Sequence, residues 1–350
     1  MKRTFTSMLV GAVAIAALAV TGCKKDEEKK DPAAAAPGAG GAAAGGATQA
    51  AVPAQTGFAV FPASSKVVGG FNLNSARSSA LWATYKPQIE AAMSSDLAEF
   101  KAACGFDPFM QLQSLVIGGD PNTEEMVVVA KGLEREQIKS CGEKLASKEG
   151  KKFSVVDEGN LSQYEMEGEK FWGAWLDGTT VVMSPDKDKN YVTQRAAGQG
   201  GLADSTELMA LLKNVDTGAT FYLVATADAW ASSPAKDMMK GAKGLFASVK
   251  LTEGLNLDAG LRFDTPENAQ AFTTTVQQQL EMAKGQQMPP QLAGLSKAIE
   301  KATVKTSGSD TIVQLALTAE ELKQLGAVLQ QMGAAFGQMG GAPGGAAPPM

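Results

Sequence analysis

Ser233 and Lys236 stand three residues apart, a spacing at which a lysine can draw the proton from a serine and make it a nucleophile. Asp186-Lys187-Asp188-Lys189-Asn190 opens like a calcium loop, and Asp157, Glu158, Glu165, Glu167 and Glu169 gather carboxylates in one short stretch. Against these leads, the chain has no histidine among its 350 residues. The commonest general base and the commonest transition-metal ligand are therefore missing, which rules out Ser-His-Asp and Cys-His catalysis.

Each lead weakens when its neighbours are read. Ser233-Pro234-Ala235-Lys236 resembles the Ser-x-x-Lys of penicillin-binding proteins and β-lactamases, and Lys305-Thr306-Ser307-Gly308 loosely resembles their Lys-Thr-Gly. The resemblance implies an acyl-enzyme, but no Ser-Asp-Asn lies between the two motifs, and Ser307 follows Thr306 where glycine is needed. Ser233 as a helix cap, with Pro234 at the first helical position, accounts for the same residues. The calcium loop needs glycine at its sixth position and glutamate at its twelfth, and here those are Tyr191 and Ala197. Met238-Met239, Met282 and Met288 are not spaced as a copper cluster and read as flexible core filling. No catalytic residue, metal or cofactor is expected.

Glu165, Glu167 and Glu169 alternate, so they are expected on one strand face, as an acidic edge that discourages edge-to-edge pairing. In the same region alternation sets Phe171, Gly173 and Trp175 on one face and Trp172 on the other. One tryptophan then belongs to the core and the other is open to a partner, which makes Trp172 and Trp175 the candidate interaction surface.

The N-terminus is more specific. Lys2 and Arg3 precede an apolar run from Met8 to Val20 that is too short to span a bilayer, and small residues lead to Cys23. Val20-Thr21-Gly22-Cys23 resembles the lipobox of bacterial lipoproteins: a branched apolar residue, a small residue, Gly or Ala, then Cys. The resemblance covers residues 1–23 and implies removal of residues 1–22 and a diacylglycerol on Cys23. Two acyl chains suffice for stable attachment to a membrane. In enteric lipoproteins Asp after the cysteine marks retention at the inner membrane, so Lys24 leans toward the outer membrane.

Export has consequences for the rest. Loss of Lys2 and Arg3 moves the formal net charge from −5 to −7, and no Arg/Lys cluster appears, so nucleic acid is not an expected partner. In an oxidising envelope Cys104 and Cys141 are expected to be bridged, with two buried free thiols as the alternative. Residues 23–56 read as a charged and then Ala/Gly/Pro-rich tether, and residues 334–350 as a tail of the same composition.

The elements that would carry any site lie between these ends. Hairpins are predicted at Asp120-Pro121-Asn122, Asp177-Gly178, Glu253-Gly254 and Ser307-Gly308-Ser309-Asp310. Helices are predicted from about Glu134, from Ser184-Pro185, from Thr265-Pro266 and from a capping box at Thr318 to Glu321. Lone strands over 67–73 and 220–225 precede them. Residues 57–214 and 215–333 each read as strand, helix, hairpin, helix, hairpin, helix, which predicts an internal duplication. The fold class is α+β, with antiparallel sheet, as one sheet or two lobes, and helices on one face.

The sequence thus predicts a lipid-anchored envelope protein that acts as a non-catalytic protein-interaction or structural module. The alternative is a carrier or sensor that encloses an apolar ligand, such as a lipid, between sheet and helices.

Overall fold

The computed structural model describes residues 57–123, 125–185, 187–231, 239, 241–286, 289 and 292–326. In chain order the elements are β1 (Val67–Asn72), α1 (Leu73–Ser78), α2 (Ala80–Ala92), α3 (Ser94–Cys104), α4 (Pro108–Gln111), β2 (Ser114–Asp120), β3 (Glu125–Lys131) and α5 (Arg135–Lys148). A four-strand meander follows: β4 (Phe153–Glu158), β5 (Leu161–Met166), β6 (Glu169–Trp175) and β7 (Thr180–Ser184). Then come α6 (Lys189–Ala196), α7 (Thr206–Leu212), β8 (Phe221–Thr226), β9 (Ala242–Leu251) and β10 (Gly254–Phe263). The chain continues through α8 (Pro266–Gly285), α9 (Ala293–Lys301), β11 (Thr303–Ser307) and β12 (Asp310–Thr318), and residues 319–326 are helical.

The twelve strands of the described residues form one antiparallel sheet, in the order β11-β12-β10-β9-β8-β1-β2-β3-β7-β6-β5-β4. The lone strands of the sequence, β1 and β8, pair at its centre, Val68 opposite Val224. The α+β class and the antiparallel sheet hold, and the choice between one sheet and two lobes falls to one sheet.

The helices do not lie on one face, which corrects the expected layering. On what we call face one, Val68, Val127, Tyr222, Val224 and Phe246 pack against Leu208, Leu211 and Leu212 of α7. On face two, the next residues along the same strands, Val67, Ala225 and Leu245, join Phe263 in packing against Trp230 and against Ala269 and Phe272 of α8. The cause is in the strands themselves. Phe221-Tyr222-Leu223-Val224-Ala225 is apolar at every position, so both faces had to be covered.

Capping chemistry sets the helix starts. Thr265 accepts from the Asn268 amide at 3.2 Å with Pro266 next in line, as its sequence predicts. At Thr318 the capping box is reciprocal: Glu321 accepts from the Thr318 amide at 2.9 Å and donates its own amide to Thr318 Oγ1 at 3.3 Å. Ser184 departs from expectation. It ends β7 with its hydroxyl donating to Met126 O at 2.6 Å, and Asp188 caps α6 instead.

Candidate functional site

On β1, β8 and β9 face one is buried more deeply than face two. On face one Val68 and Val224 are 0 % exposed and Tyr222 and Phe246 are 4 % exposed. On face two the register aligns Val313, Ala259, Ala247, Leu223, Gly69 and Ile117 in one row across β12, β10, β9, β8, β1 and β2. All six are only partly buried. The neighbouring row, Leu315, Leu257, Val249, Phe221 and Phe71, is also partly buried throughout. Neither row contains a polar side chain.

Side-chain size gives this face relief. Ala259 and Ala247 sit side by side, with Leu257 and Val249 in the row on one flank and Leu261 and Leu245 in the row on the other. Their short side chains leave a low floor between two higher ridges. Leu223 ends the floor by leaning over Gly69, where a Cβ would lie 3.3 Å from its Cδ1. Helix α8 packs on this face at its β11–β12 end, where Thr273 of α8 bonds Thr311 at 2.9 Å and Thr306 at 2.8 Å. Helix α9 packs on both α8 and β12, and Gly294 of α9 lies against the backbone of Gln324 and Leu325. Tyr85 of α2 reaches the same helical stretch, with Oη 3.5 Å from Leu322 O.

Two hollows contrast with that face. A groove of about 810 Å³ runs between the end of α5 and the β4–β5–β6 turns, with Glu143, Lys151, Lys152, Glu165 and Glu167 on its walls. Its charges are of both signs, and Lys151 is already paired with Glu149 at 2.5 Å. A smaller hollow of about 230 Å³ lies between Leu211 of α7 and Phe263. Arg262 at its rim is bound in two places by Asp310, both contacts at 2.8 Å.

The predicted residues distribute as follows. Cys104 and Cys141 are bonded to each other and join α3 to α5. Trp175 is 5 % exposed and donates from Nε1 to Ser162 Oγ at 3.2 Å, so it is core and cannot share a surface with Trp172. Trp172 lies on the opposite face as alternation predicts, partly buried against Val192 and Ala196 of α6, with the Lys189 ammonium 5.5 Å from its ring.

Glu165, Glu167 and Glu169 do not share a strand face. Glu167-Gly168 is the β5–β6 turn, with φ of 54° and 85°, and the pair Glu165–Lys170 follows it. Positive φ at both central residues is the hairpin geometry whose twist matches the flanking strands. Asp188 is a helix cap, accepting from the Tyr191 amide at 2.8 Å. Lys305 is exposed on edge strand β11. Cys23, Ser233, Lys236 and Asp186 lie outside the described residues.

Sequence reading missed one polar cluster. Arg135, at the start of α5, donates to Gly159 O at 2.7 Å and Leu161 O at 2.6 Å, and its Nε reaches Asp157 Oδ1 and Ser162 Oγ, both at 3.0 Å. Burial works against the charge on Asp157. The hydrogen bond from Ser162 and the Arg135 guanidinium outweigh it and hold that carboxyl below the usual range. Ser162 is 0 % exposed, so this Ser–Asp contact builds the fold and offers substrate no nucleophile. Among the described residues no group of three or more Cys, Asp or Glu side chains is placed to hold a metal ion, and no helix is long and apolar enough to cross a membrane.

No family model matches the chain, and no curated protein matches it. Among solved structures it is similar to crystal form III of TP0453, with 9 % identity, a TM-score of 0.43, and coverage of 77 % of this chain and 97 % of that one. Crystal form I of TP0453 gives 8 % identity and a TM-score of 0.43, covering 78 % and 96 %. Likeness at that level assigns this chain neither a family nor an activity.

Proposed function

We propose that the chain is a bacterial envelope lipoprotein, cut before Cys23 and acylated there, whose body is a non-catalytic binding module held near a membrane by residues 24–56. The observation that carries the binding role is the wholly apolar, only partly buried pair of rows on face two, set against the deeper burial of face one on β1, β8 and β9. The Cys104–Cys141 bond supports export, because such bonds persist in oxidising compartments. Lys24 favours the outer membrane.

The reading includes an internal duplication. From the central pair outward the strand orders are β1-β2-β3-β7-β6 and β8-β9-β10-β12-β11, and a helix follows β3 and β10 alike. The hairpin β4–β5 is then an addition to the first half, at the outer edge.

A protein-interaction role has one observation in its favour. Val156, 52 % exposed on edge strand β4, continues a cross-strand row through Gln163 to Trp172.

The test is acylation in cells grown with radiolabelled palmitate, followed by separation of inner and outer membranes. Label on the wild-type chain that disappears in Cys23→Ser, with the protein in the outer-membrane fraction, is the expected result. Label that survives the substitution, or no label at all, overturns the anchor.

A further inference from the structure

We infer that face two binds the acyl chain of a phospholipid drawn from the membrane to which the protein is tethered. The inference rests on the lipoprotein reading for the source of the lipid, and on the side chains of the face for its chemistry.

A ligand with polar atoms would need partners, because a polar group buried without one loses the hydrogen bonds it makes in water. The rows through Ala259–Ala247 and Leu257–Val249 offer no side-chain donor or acceptor, and their backbone groups are committed to the sheet. Plain hydrocarbon is therefore what they select. The low floor covers Ala259 and Ala247 only, and the flanking row from Leu257 through Val249 and Phe221 to Phe71 continues the apolar surface across four strands, about 14 Å at a strand spacing of ~4.8 Å, enough for part of an acyl chain. The low floor at Ala247 and Ala259, between ridges of Leu and Val, suits a slender flexible chain better than a flat ring.

A folded protein is a poor occupant. Helix α8 is already packed on the β11–β12 end of the face, with α9 against it, so a second sheet cannot lie flat across the rows. Supply argues the same way. On the lipoprotein reading, 33 residues separate Cys23 from the first described residue, Gly57, so lipid of the same membrane is offered to the body at a raised effective concentration.

The test uses the full acylated chain in vesicles of phosphatidylethanolamine and phosphatidylglycerol containing a phospholipid with a photoactivatable diazirine in one acyl chain. After illumination, adducts are mapped by peptide mass spectrometry. Adducts concentrated on β8, β9 and β10 are expected, and they should fall about tenfold in Ala247→Trp and in Ala259→Phe, which raise the floor. Ala316→Trp, at an exposed position of the opposite face, should leave them unchanged. Adducts confined to other segments, or equal labelling in the two filled variants with circular dichroism unaltered, overturn the inference. Should either filled variant fold poorly, the wild-type adduct map decides alone. Labelled strands in a chain that takes no palmitate would sink the anchor and leave the lipid site. Acylation at Cys23 with unlabelled strands would do the reverse.

Discussion

Ser162 donates to Asp157 Oδ1 at 2.7 Å across the β4–β5 hairpin, and the serine hydroxyl is in turn the acceptor for the Trp175 indole N–H at 3.2 Å. One buried oxygen thus ties the outermost hairpin to β6, and Arg135 ties both to α5. This is a structural cluster with the residue types of a catalytic one.

Ser162→Ala should therefore destabilise the fold by about 1–3 kcal/mol, because it leaves the Trp175 N–H unpaired at a buried position and takes a donor from Asp157. Ser154→Ala, at an exposed position of β4, should change nothing beyond experimental error. Urea unfolding at constant m-value measures both. Equal midpoints for the two variants would show that the cluster contributes no net stability.

Acid should weaken the C-terminal helix start first through Glu321. Its hydrogen bond from Lys301 and the Thr318 amide outweigh desolvation and take its carboxyl from 4.5 down to about 2. A carboxyl with a depressed folded-state value contributes fully above its unfolded value, and that contribution fades as pH falls from 4.5 toward about 2. Glu321→Gln should melt at a lower temperature than wild type at neutral pH, and the two curves should converge as pH approaches 2. Thermal melts at successive pH values give the difference directly, and parallel curves would refute the linkage. Asp157, Asp177 and Asp216 are also held low, but they are common to both chains and cancel.

The bond between Cys104 and Cys141 closes a sequence separation of 37. In the chain-entropy model a loop of that size stabilises by about 4 kcal/mol. Reductant should lower the urea midpoint of wild type accordingly and leave the Cys104→Ser/Cys141→Ser chain unmoved. A reductant effect equal in both chains would place the stabilisation elsewhere.

Much of this architecture is local chemistry and was legible. Asp177-Gly178, Thr265-Pro266 and the Thr318 capping box each act through bonds within a few residues, and each marks the boundary its residues predict. Failures arose where a distant partner decided. Ser184 carries the composition of a helix cap, but Met126 O across the β3–β7 pair takes its hydroxyl. The turn Glu167-Gly168 was hidden because glutamate is an unusual residue at positive φ. Alternation separated Trp172 from Trp175 correctly, but only the position of α6 decided how much of Trp172 is covered. The apolar character of both faces could have been suspected from β8, whose unbroken apolar run demands cover on both sides. How complete that cover is depends on helices far along the chain.

The segment from Gly57 to β1 yields the last prediction. Phe61 is 0 % exposed, and Ala63 donates its amide to Gly200 O at 3.2 Å, so the chain is fixed to face one before the sheet begins. Gly118 of β2 makes room for it: a Cβ there would lie 2.6 Å from Phe61 Cδ1 and 3.0 Å from Val68 Cγ2. Val68 is held in the central strand, so the phenyl ring has to yield. Gly118→Ala should cost about 1–3 kcal/mol by overpacking. It should also accelerate proteolysis within residues 57–63 more than elsewhere. Phe61→Ala should open the same segment by removing its anchor, whereas Gly57→Ala, with nothing within 4 Å of the added carbon, should do neither. Limited digestion with mass spectrometry locates the cuts, and a Gly118→Ala chain cut at wild-type rates in this segment would show that Phe61 does not hold it.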